Sequence, residues 1–232
     1  MVRHVYERTR RASTLDEVVV ATDDERVMQA VTSFGGRAIM TSPQCPSGTD
    51  RLAEASQQVP ADIYVNVQGD EPMIDPATID LAVEGLKADP DAAISTLSLP
   101  LRLLDEMMSD AVVKVVTDAR GHALYFSRSP IPHLRTPERT IEAAARAALA
   151  KGVARKHVGL YVFRRESLAR FAALSPSPLE SLEQLEQLRA LHHGLKILVK
   201  EVEGEGTMAV DTPEDLERVR ALISSDSLIA TH

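Results

Sequence analysis

Short runs of apolar, β-branched residues alternate with amphipathic segments over the first hundred residues of the chain. Residues 17–21 and 63–67 are the clearest of these runs, and each leads into a polar turn. Such runs are typical of strands buried on both faces of a parallel sheet, and the segments between them are long enough for crossover helices. The pattern predicts an α/β fold with a mostly parallel sheet that carries helices on both faces.

The same periodicity assigns the remaining elements. We predict strands at residues 17–21, 37–40, 63–67, 93–99, 112–116, 123–126, 158–163 and 197–202. We predict helices at residues 3–12, 25–34, 51–58, 76–88, 139–151, 166–173 and 179–191, and a last one after Asp211. Because a hairpin at 112–126 interrupts the alternation, we expect a single domain over residues 1–232 with an inserted β-rich subregion at about 100–165.

The polar residues after each strand are candidates for a site, because ligands of open α/β sheets bind beyond the carboxyl ends of the strands. Asp70 lies in a Gln-Gly-Asp turn that follows the strand at 63–67. Mg²⁺ takes one or two carboxylates and fills its other positions with water and phosphate oxygens, so a second acid would complete a site. Asp211 is the candidate, although its Asp-Thr-Pro context is more typical of a helix N-cap.

Two further polar clusters have the composition of a nucleotide site. Thr22 and Asp23 follow the first strand. A second cluster combines hydroxyl groups, a glycine and a cation at the start of a helix; it consists of Ser47, Gly48, Thr49 and Arg51. Both clusters are also typical of helix caps, with Arg51 in a surface ion pair, and each one alone favours that structural interpretation.

Later candidates share faces of single elements. His157 and Tyr161 alternate along one predicted strand, so their side chains point to the same side. Glu183 and Gln187 are four residues apart, which would place them on one face of the predicted helix at 179–191. A half-buried strand and a solvated helix face explain these spacings equally well.

Composition narrows the class of protein. The 232 residues carry a formal net charge of -8, with 44% hydrophobic and 26% charged residues, which is ordinary for a globular protein and unfavourable for binding nucleic acid. Cys45 is the single cysteine, so we expect neither a disulfide nor a cysteine-rich zinc site. We see no secretory signal or membrane-spanning stretch and expect a cytoplasmic protein without a membrane partner.

Eight segments stand out in order along the chain. They are Val-Ala-Thr-Asp at 20–23, Ser-Gly-Thr-Asp-Arg-Leu-Ala-Glu at 47–54, Val-Asn-Val-Gln-Gly-Asp-Glu-Pro-Met-Ile at 65–74, Ala-Leu-Tyr-Phe-Ser-Arg-Ser-Pro-Ile-Pro at 123–132, His-Val-Gly-Leu-Tyr at 157–161, Pro-Ser-Pro-Leu-Glu at 176–180, Leu-Glu-Gln-Leu-Arg at 185–189 and Val-Asp-Thr-Pro-Glu-Asp-Leu at 210–216. Together they resemble the CMP-Kdo synthetases, the 3-deoxy-manno-octulosonate cytidylyltransferases, from Val2 to Leu222. The resemblance makes ligand binding the favoured role of the residues above.

The resemblance implies a Rossmann-like nucleotidyltransferase that moves CMP from CTP to the anomeric hydroxyl of Kdo, releasing pyrophosphate, for lipopolysaccharide biosynthesis. It implies that the nucleotide is bound by Thr22, Asp23, Ser47, Gly48, Thr49 and Arg51. It implies that the sugar is bound by Gln68, Arg128, His157, Tyr161, Glu183 and Gln187. Asp70 and Asp211 would hold Mg²⁺ and, with Arg128 gripping the sugar carboxylate, form the catalytic set. A homodimer, joined through the inserted subregion, is implied as well.

Family members open with a strand and a basic, glycine-containing loop that wraps the triphosphate, ahead of the helix that lies here at 3–12. We identify no counterpart of that loop and therefore expect poor CTP binding and aggregation, which comparison with a chain extended at its N-terminus would test. Two other functions stay open: a cytidylyltransferase for another acidic sugar, such as a sialic acid or an amino analogue of Kdo, and a non-catalytic binding protein. Substrate trials and calorimetric titration with Kdo and CTP separate these functions.

Overall fold

The structure, a computed structural model, describes residues 1–204, 210 and 212–229, the side chains of 213 and 224–229 excepted. Its contacts divide the chain into two compact units. Unit 1 comprises residues 1–61, 66–81 and the segment from 206 onward, and unit 2 comprises residues 62–65 and 82–205. The predicted inserted subregion falls within unit 2.

Helices and strands alternate along the chain, as the hydrophobic pattern predicts. The helices are α1 (Val2–Thr9), α2 (Glu25–Ser33), α3 (Gly48–Ser56), α4 (Pro76–Ala88), α5 (Leu104–Met108), α6 (Ile141–Ala150), α7 (Arg165–Ala172), α8 (Pro178–Glu183), α9 (Gln187–His192) and α10 (Pro213–Ile229). The strands are β1 (Val19–Thr22), β2 (Arg37–Met40), β3 (Ile63–Asn66), β4 (Ile94–Pro100), β5 (Lys114–Thr117), β6 (Ala123–Ser127), β7 (Arg155–Arg164) and β8 (Ile197–Glu201). Within the described residues, none of the helices is both long and apolar enough to cross a membrane.

Unit 1 contains the parallel pair of strands β1 and β2. Asp24 begins α2, since its side chain accepts a hydrogen bond of 2.8 Å from the backbone N–H of Arg26. Tyr6 of α1 packs against Phe34 at the end of α2, with ring centroids 5.5 Å apart. Helix α1 is therefore held to α2 by an aromatic contact.

One carboxylate ties the turn between α1 and β1 to α4. Asp80 accepts four hydrogen bonds, from the backbone N–H groups and the hydroxyls of Ser13 and Thr14, at 2.7 to 3.0 Å. Partial burial alone would raise the pKa of Asp80, but these hydrogen bonds outweigh that effect and lower the pKa to about 2. The ionised form of Asp80 is thus part of the packing of unit 1.

Unit 2 contains a six-stranded sheet with the order β6-β5-β7-β4-β8, in which β3 also pairs with β7. Strand β4 runs parallel to β8 and antiparallel to β7, while β5 runs antiparallel to both β6 and β7. The sheet of unit 2 is therefore mixed and not mostly parallel, while β1 with β2 and β4 with β8 form parallel pairs.

The two ends of this sheet meet. His122, next to β6, forms an antiparallel bridge with Leu198 of β8, and the Val199 N–H donates to the carbonyl of Gly121 at 2.9 Å. Gly121 has a φ of +84°, and a Cβ there would lie 3.5 Å from the Val199 oxygen. The β5–β6 turn thus needs its glycine to reach β8 in a left-handed conformation.

A short helix that the pattern does not predict, α5, packs against α6. Their shared core contains Leu101, Met107, Ala145, Ala148 and Ala154, all at most 2% exposed. The small alanine side chains of α6 let α5 approach closely. Helix α5 has only five residues, so its sequence is too short to show a clear helical period.

The prediction of one continuous helix at 179–191 is wrong. The chain forms α8 and α9 instead, because Gln184 adopts a left-handed conformation, with φ 51° and ψ 50°, and ends α8. A capping box between Ser177 and Glu180 begins α8. Leu185 and Leu188 are both buried, so core packing favours the break at Gln184.

Candidate active site

The residues that follow β1 and β2 form one polar network in unit 1. Arg51 places Nη2 3.0 Å from Oδ2 of Asp23 and donates through Nη1 to Oγ1 of Thr41 at 2.5 Å. The Thr41 N–H donates in turn to the carbonyl of Thr22, at 2.9 Å. This network brings together three residues that are predicted to bind the nucleotide and that come from different parts of the sequence: Thr22, Asp23 and Arg51.

The alternative role as a helix cap holds for Ser47 but not for Asp23. Asp24, and not Asp23, caps α2, which leaves the Asp23 carboxylate to pair with Arg51. Ser47 does cap α3, since its hydroxyl accepts from the Asp50 N–H at 3.1 Å while it donates to Oδ2 of Asp50 at 2.6 Å. A role in capping fixes the start of α3 and does not exclude contact between its first turn and a ligand.

The first turn of α3 faces two carboxamides. A Cβ placed on Gly48 would lie 3.6 Å from Nδ2 of Asn66 and 3.7 Å from both polar side-chain atoms of Gln68. Thr49, the next residue, is buried. Gln68, predicted to bind the sugar, thus lies in unit 1 beside a predicted nucleotide residue.

Asp70 lies in the turn after β3, as the sequence predicts. Its carbonyl accepts a hydrogen bond of 2.9 Å from the N–H of Val210, the residue that precedes Asp211 in the sequence. Asp211 itself lies outside the described residues. The half-buried carboxylate of Asp70 makes no hydrogen bond or ion pair with any described residue.

A free carboxylate of this kind fits a hard cation such as Mg²⁺, which is bound through oxygen atoms. Within the described residues, no three His, Cys, Asp or Glu side chains come together as a metal site. A cage made only of protein ligands is not what Mg²⁺ requires, since phosphate oxygens and water complete its shell.

In unit 2, His157 lies in a stack of aromatic rings. Its ring centroid is 5.0 Å from that of Phe126 and 5.4 Å from that of Tyr161. Nε2 of His157 is 2.9 Å from Oγ1 of Thr96. Desolvation lowers the pKa of His157 to about 3, so the imidazole is neutral near pH 7. Desolvation also raises the pKa of Tyr161, with the Glu186 charge adding to the effect.

Glu183 and Arg128 are joined to each other. The Glu183 carboxylate accepts hydrogen bonds from the Ser127 hydroxyl at 2.7 Å and from the Arg128 backbone N–H at 2.9 Å. The Arg128 guanidinium donates to the carbonyls of Glu183, Asp110 and Gln184, at 2.7, 2.8 and 3.3 Å. Three of its five N–H groups are thus in use, and two are left for a ligand.

Two of the amino acids predicted to bind the sugar have polar groups that no described residue pairs with. Within the described residues, neither the Tyr161 hydroxyl nor the Gln187 carboxamide makes a hydrogen bond, although Gln187 is only 6% exposed. The break at Gln184 separates Gln187 from Glu183, so the predicted shared helix face does not form.

A buried ion pair joins α8, which carries Glu183, to α9, which carries Gln187. Arg189 of α9 donates to both carboxylate oxygens of Glu180 of α8, at 2.5 to 3.1 Å. The Arg189 guanidinium also lies over the ring of Phe171, 5.0 Å from its centroid. Both charged residues belong to the segments at 176–180 and 185–189, but the sequence does not show that they pair.

Lys114 is another residue that the sequence analysis missed. It is fully buried, and its Nζ donates to the carbonyls of Ser109, Val112 and Arg128. Desolvation lowers its pKa, opposed by the nearby charges of Asp110 and Glu183. The signal in the sequence is a lysine within the apolar run Val-Val-Lys-Val-Val. Because burial of a charge is costly unless polar groups surround it, such a lysine indicates specific hydrogen-bond partners.

Similarity to known proteins identifies the family to which the chain belongs. A family model described as Cytidylyltransferase matches residues 1–197. The 3-deoxy-manno-octulosonate cytidylyltransferase of Geotalea daltonii is 52% identical over 219 residues, which cover 94% of this chain and 86% of that protein. The chain belongs to the 3-deoxy-manno-octulosonate cytidylyltransferase family. A protein of the same name from Pelobacter propionicus is 52% identical over 228 residues, covering 97% of this chain and 89% of its own length.

A solved structure supports the same membership of the 3-deoxy-manno-octulosonate cytidylyltransferase family. It is a CMP:2-keto-3-deoxy-manno-octonic acid synthetase complexed with CTP, with a TM-score of 0.86 and 44% identity over 97% of this chain and 88% of that one. The predicted family, the α/β nucleotidyltransferase fold and the enzyme class are thereby confirmed.

Proposed function

We propose that the protein transfers CMP from CTP to the anomeric hydroxyl of Kdo. The hydroxyl oxygen attacks the α-phosphorus, a P–O bond forms, and the bond to the β-phosphate oxygen breaks as pyrophosphate leaves. Relatives named for this activity and a similar structure that contains CTP support the proposal. The observation that carries it is the network of Asp23, Arg51 and Thr41 at the ends of β1 and β2.

On the nucleotide side, the protein acts mainly by positioning. Asp23 and Thr41 fix the Arg51 guanidinium, whose remaining N–H groups are free to donate to the nucleotide. The backbone N–H groups at the start of α3, near Ser47, suit acceptor atoms of the same ligand. Both features exist before binding, so little reorganisation is needed.

On the sugar side, we propose that Arg128 binds the carboxylate with its two remaining N–H groups. Glu183 holds the backbone of Arg128 and so orients the guanidinium. Since His157 is neutral, it would recognise sugar hydroxyls by hydrogen bonding and not by charge. Tyr161 and Gln187 have polar groups available for the same purpose.

We propose that Asp70 and Asp211 hold Mg²⁺. The Asp70 carboxylate, which has no partner in the described part of the chain, and the hydrogen bond of Asp70 to the residue before Asp211 support this assignment. The ion would neutralise charge on the phosphates when it is bound. Asp70 itself supplies an anionic oxygen in a turn fixed by the Val210 hydrogen bond.

We further propose a homodimer in the cytoplasm, where CTP is made, that supplies CMP-Kdo to lipopolysaccharide biosynthesis. Four large apolar side chains of the predicted inserted subregion support a subunit contact there, since each is 45% to 63% exposed; they are Leu103, Leu124, Ile141 and Val153. Light scattering after size-exclusion chromatography tests the dimer, and replacement of Leu124 by Glu should yield monomers if this surface forms the contact.

Turnover is tested with CTP, Mg²⁺ and Kdo, by measuring pyrophosphate release and the mass of the sugar product. Parallel reactions contain N-acetylneuraminic acid or the amino analogue of Kdo in place of Kdo. We expect product with Kdo; turnover only with another acid would assign a different sugar, and no turnover with any acid would contradict the proposal.

A pair of matched variants accompanies that assay. Asp70→Asn keeps the shape of the side chain and removes its charge, so turnover should fall at least about 100-fold while the melting temperature stays unchanged. Asp62→Asn is the control, because the Asp62 side chain is 99% exposed at the start of β3. Equal loss in both variants would contradict the role of Asp70.

A further inference from the structure

Asn66 is the single asparagine of the chain and the last residue of β3. Its Nδ2 atom is buried and has no hydrogen-bond partner among the described residues. Only two other fully buried side-chain atoms in the described part of the chain lack a partner, the hydroxyl oxygens of Thr9 and Thr136. A buried donor left unpaired costs about 1 to 3 kcal/mol, so such a group in the folded chain needs a reason.

The surroundings of Asn66 supply that reason. Gly48 lies beside it, and the three atoms nearest to a Cβ on Gly48 would belong to the carboxamides of Asn66 and Gln68, at 3.6 to 3.7 Å. These are ordinary contact distances, and Gly48 does not have the positive φ that favours glycine. Neither packing nor backbone conformation in unit 1 therefore requires a glycine at position 48, and the glycine places no side chain between the first turn of α3 and the unpaired amide.

We propose that Asn66 is a further nucleotide-binding residue, whose Nδ2 donates a hydrogen bond to the cytidine portion of a nucleotide bound at the first turn of α3. An amide is a neutral donor and suits neutral acceptors, namely the carbonyl or ring nitrogen of the base or a ribose oxygen, whereas phosphates favour charged donors. The proposal rests on the proposed function, because Gly48, Thr49 and Arg51 form the nucleotide side of that reaction.

The test uses isothermal titration of the chain with cytidine, CMP and CTP. We expect Asn66→Ala to weaken cytidine and CMP binding about 3- to 10-fold, the value of one hydrogen bond, and by the same factor for both ligands. Asn66→Asp has the same shape but presents an oxygen to the acceptor, so its loss should exceed about 10-fold. An Asp variant that binds as well as the original chain would overturn the donor role.

Thermal unfolding separates a binding role from a structural one. Removal of an unpaired donor should leave the melting temperature of Asn66→Ala unchanged or raise it, whereas a structural asparagine would lower it. Gly48→Ala provides a second variant, which should fold normally and bind cytidine less tightly because its methyl carbon would lie 3.6 Å from Nδ2 of Asn66 and crowd the ligand there. Gln58→Ala, in the exposed turn after α3, is the control carboxamide and should change neither quantity.

The outcomes also separate this proposal from the proposed function. If the chain binds cytidine and Asn66→Ala weakens that binding, Asn66 is confirmed even when Kdo is not a substrate. If turnover with Kdo is normal and Asn66→Ala binds cytidine with unchanged affinity, the role of Asn66 alone is overturned, and solvent satisfies its amide. Failure of the original chain to bind any of the three ligands overturns both.

Discussion

Nη2 of Arg51 lies 3.0 Å from Oδ2 of Asp23, which links the turn after β1 to the first turns of α3. The neighbouring Asp24 caps α2, so the two consecutive aspartates have different tasks. Asp24 fixes the first turn of α2, and Asp23 fixes the guanidinium of Arg51. The ion pair is only partly exposed, with side-chain exposures of 22% for Arg51 and 37% for Asp23, and it is therefore less screened than a surface pair.

Arg51→Lys should weaken CMP binding about 10-fold. The lysine keeps the charge but lacks the planar fork that reaches Thr41 and Asp23 together. Isothermal titration measures the change. Arg26→Lys is the control, because Arg26 pairs with Asp24 on the surface with a side chain that is 90% exposed. Unchanged affinity in Arg51→Lys would show that the network does not orient the nucleotide.

Asp80→Asn should destabilise the protein by about 1 to 3 kcal/mol at pH 7, because the neutral amide cannot accept all four hydrogen bonds from Ser13 and Thr14. The pKa of Asp80 is lowered from 3.8 to about 2, so its stabilisation is fully present above pH 3.8 and is lost as the pH falls through about 2. Urea unfolding from pH 2 to 7 should show the difference from the original chain shrinking below pH 4.

The control for Asp80 is Glu84→Gln, on the same helix. Glu84 forms an exposed pair with Lys87, which contributes at most about 0.5 kcal/mol. A stability difference for Asp80→Asn that stays constant across the whole pH range would contradict the assignment of its charge to the turn.

His157→Gln should make the protein less sensitive to acid. Because the pKa of His157 is lowered from 6.5 to about 3, the unfolded chain binds a proton that the folded chain does not, and stability is lost as the pH falls through this window. The original chain should lose about 1.4 kcal/mol more per pH unit than the variant between about pH 6 and 4. Urea titrations measure both slopes.

His192→Gln is the matched control for His157, since His192 is exposed. Its pH dependence should follow the original chain. Equal slopes for His157→Gln and the original chain would indicate that His157 binds its proton equally in both states, and would contradict the desolvation that keeps its ring neutral.

Lys114→Met should lower stability by at least about 1 to 3 kcal/mol, because three buried carbonyls lose their donor. The same change should raise KM for Kdo more than KM for CTP, since one of those carbonyls belongs to Arg128. Steady-state kinetics with each substrate varied in turn measures the split. Lys196→Met, an exposed lysine paired with Asp91, should change neither value.

Much of the fold follows from local signals. The strand at 37–40 and the helix at 76–88 have the predicted bounds, because polar clusters mark both ends of each apolar segment. The break at Gln184 could not be predicted, since its left-handed conformation depends on how α8 and α9 pack and not on a glycine or proline. The mixed sheet of unit 2 likewise depends on pairings between distant strands.

The candidate site divides in the same way. Motif residues at strand ends, such as Asp23, were recognised because their place in the chain already predicts a ligand edge. Thr41, Thr96 and Lys114 were missed, because each acts through a partner that is close only after folding. The placement of Asp211 stays a prediction.

The parallel pairing of β4 with β8 has a consequence for synthesis of the chain. Ile94 pairs with Ile197, about a hundred residues later, and ribosomes add about 5 to 20 residues per second. Strand β4 therefore spends about 5 to 20 seconds outside the ribosome with one edge uncovered. During that interval β7 is the first of the two neighbours of β4 to be synthesised. The residue next to β6 that bridges to β8 can do so only after β8 has been synthesised. Ribosome pausing before β8 has emerged would prolong exposure of this edge.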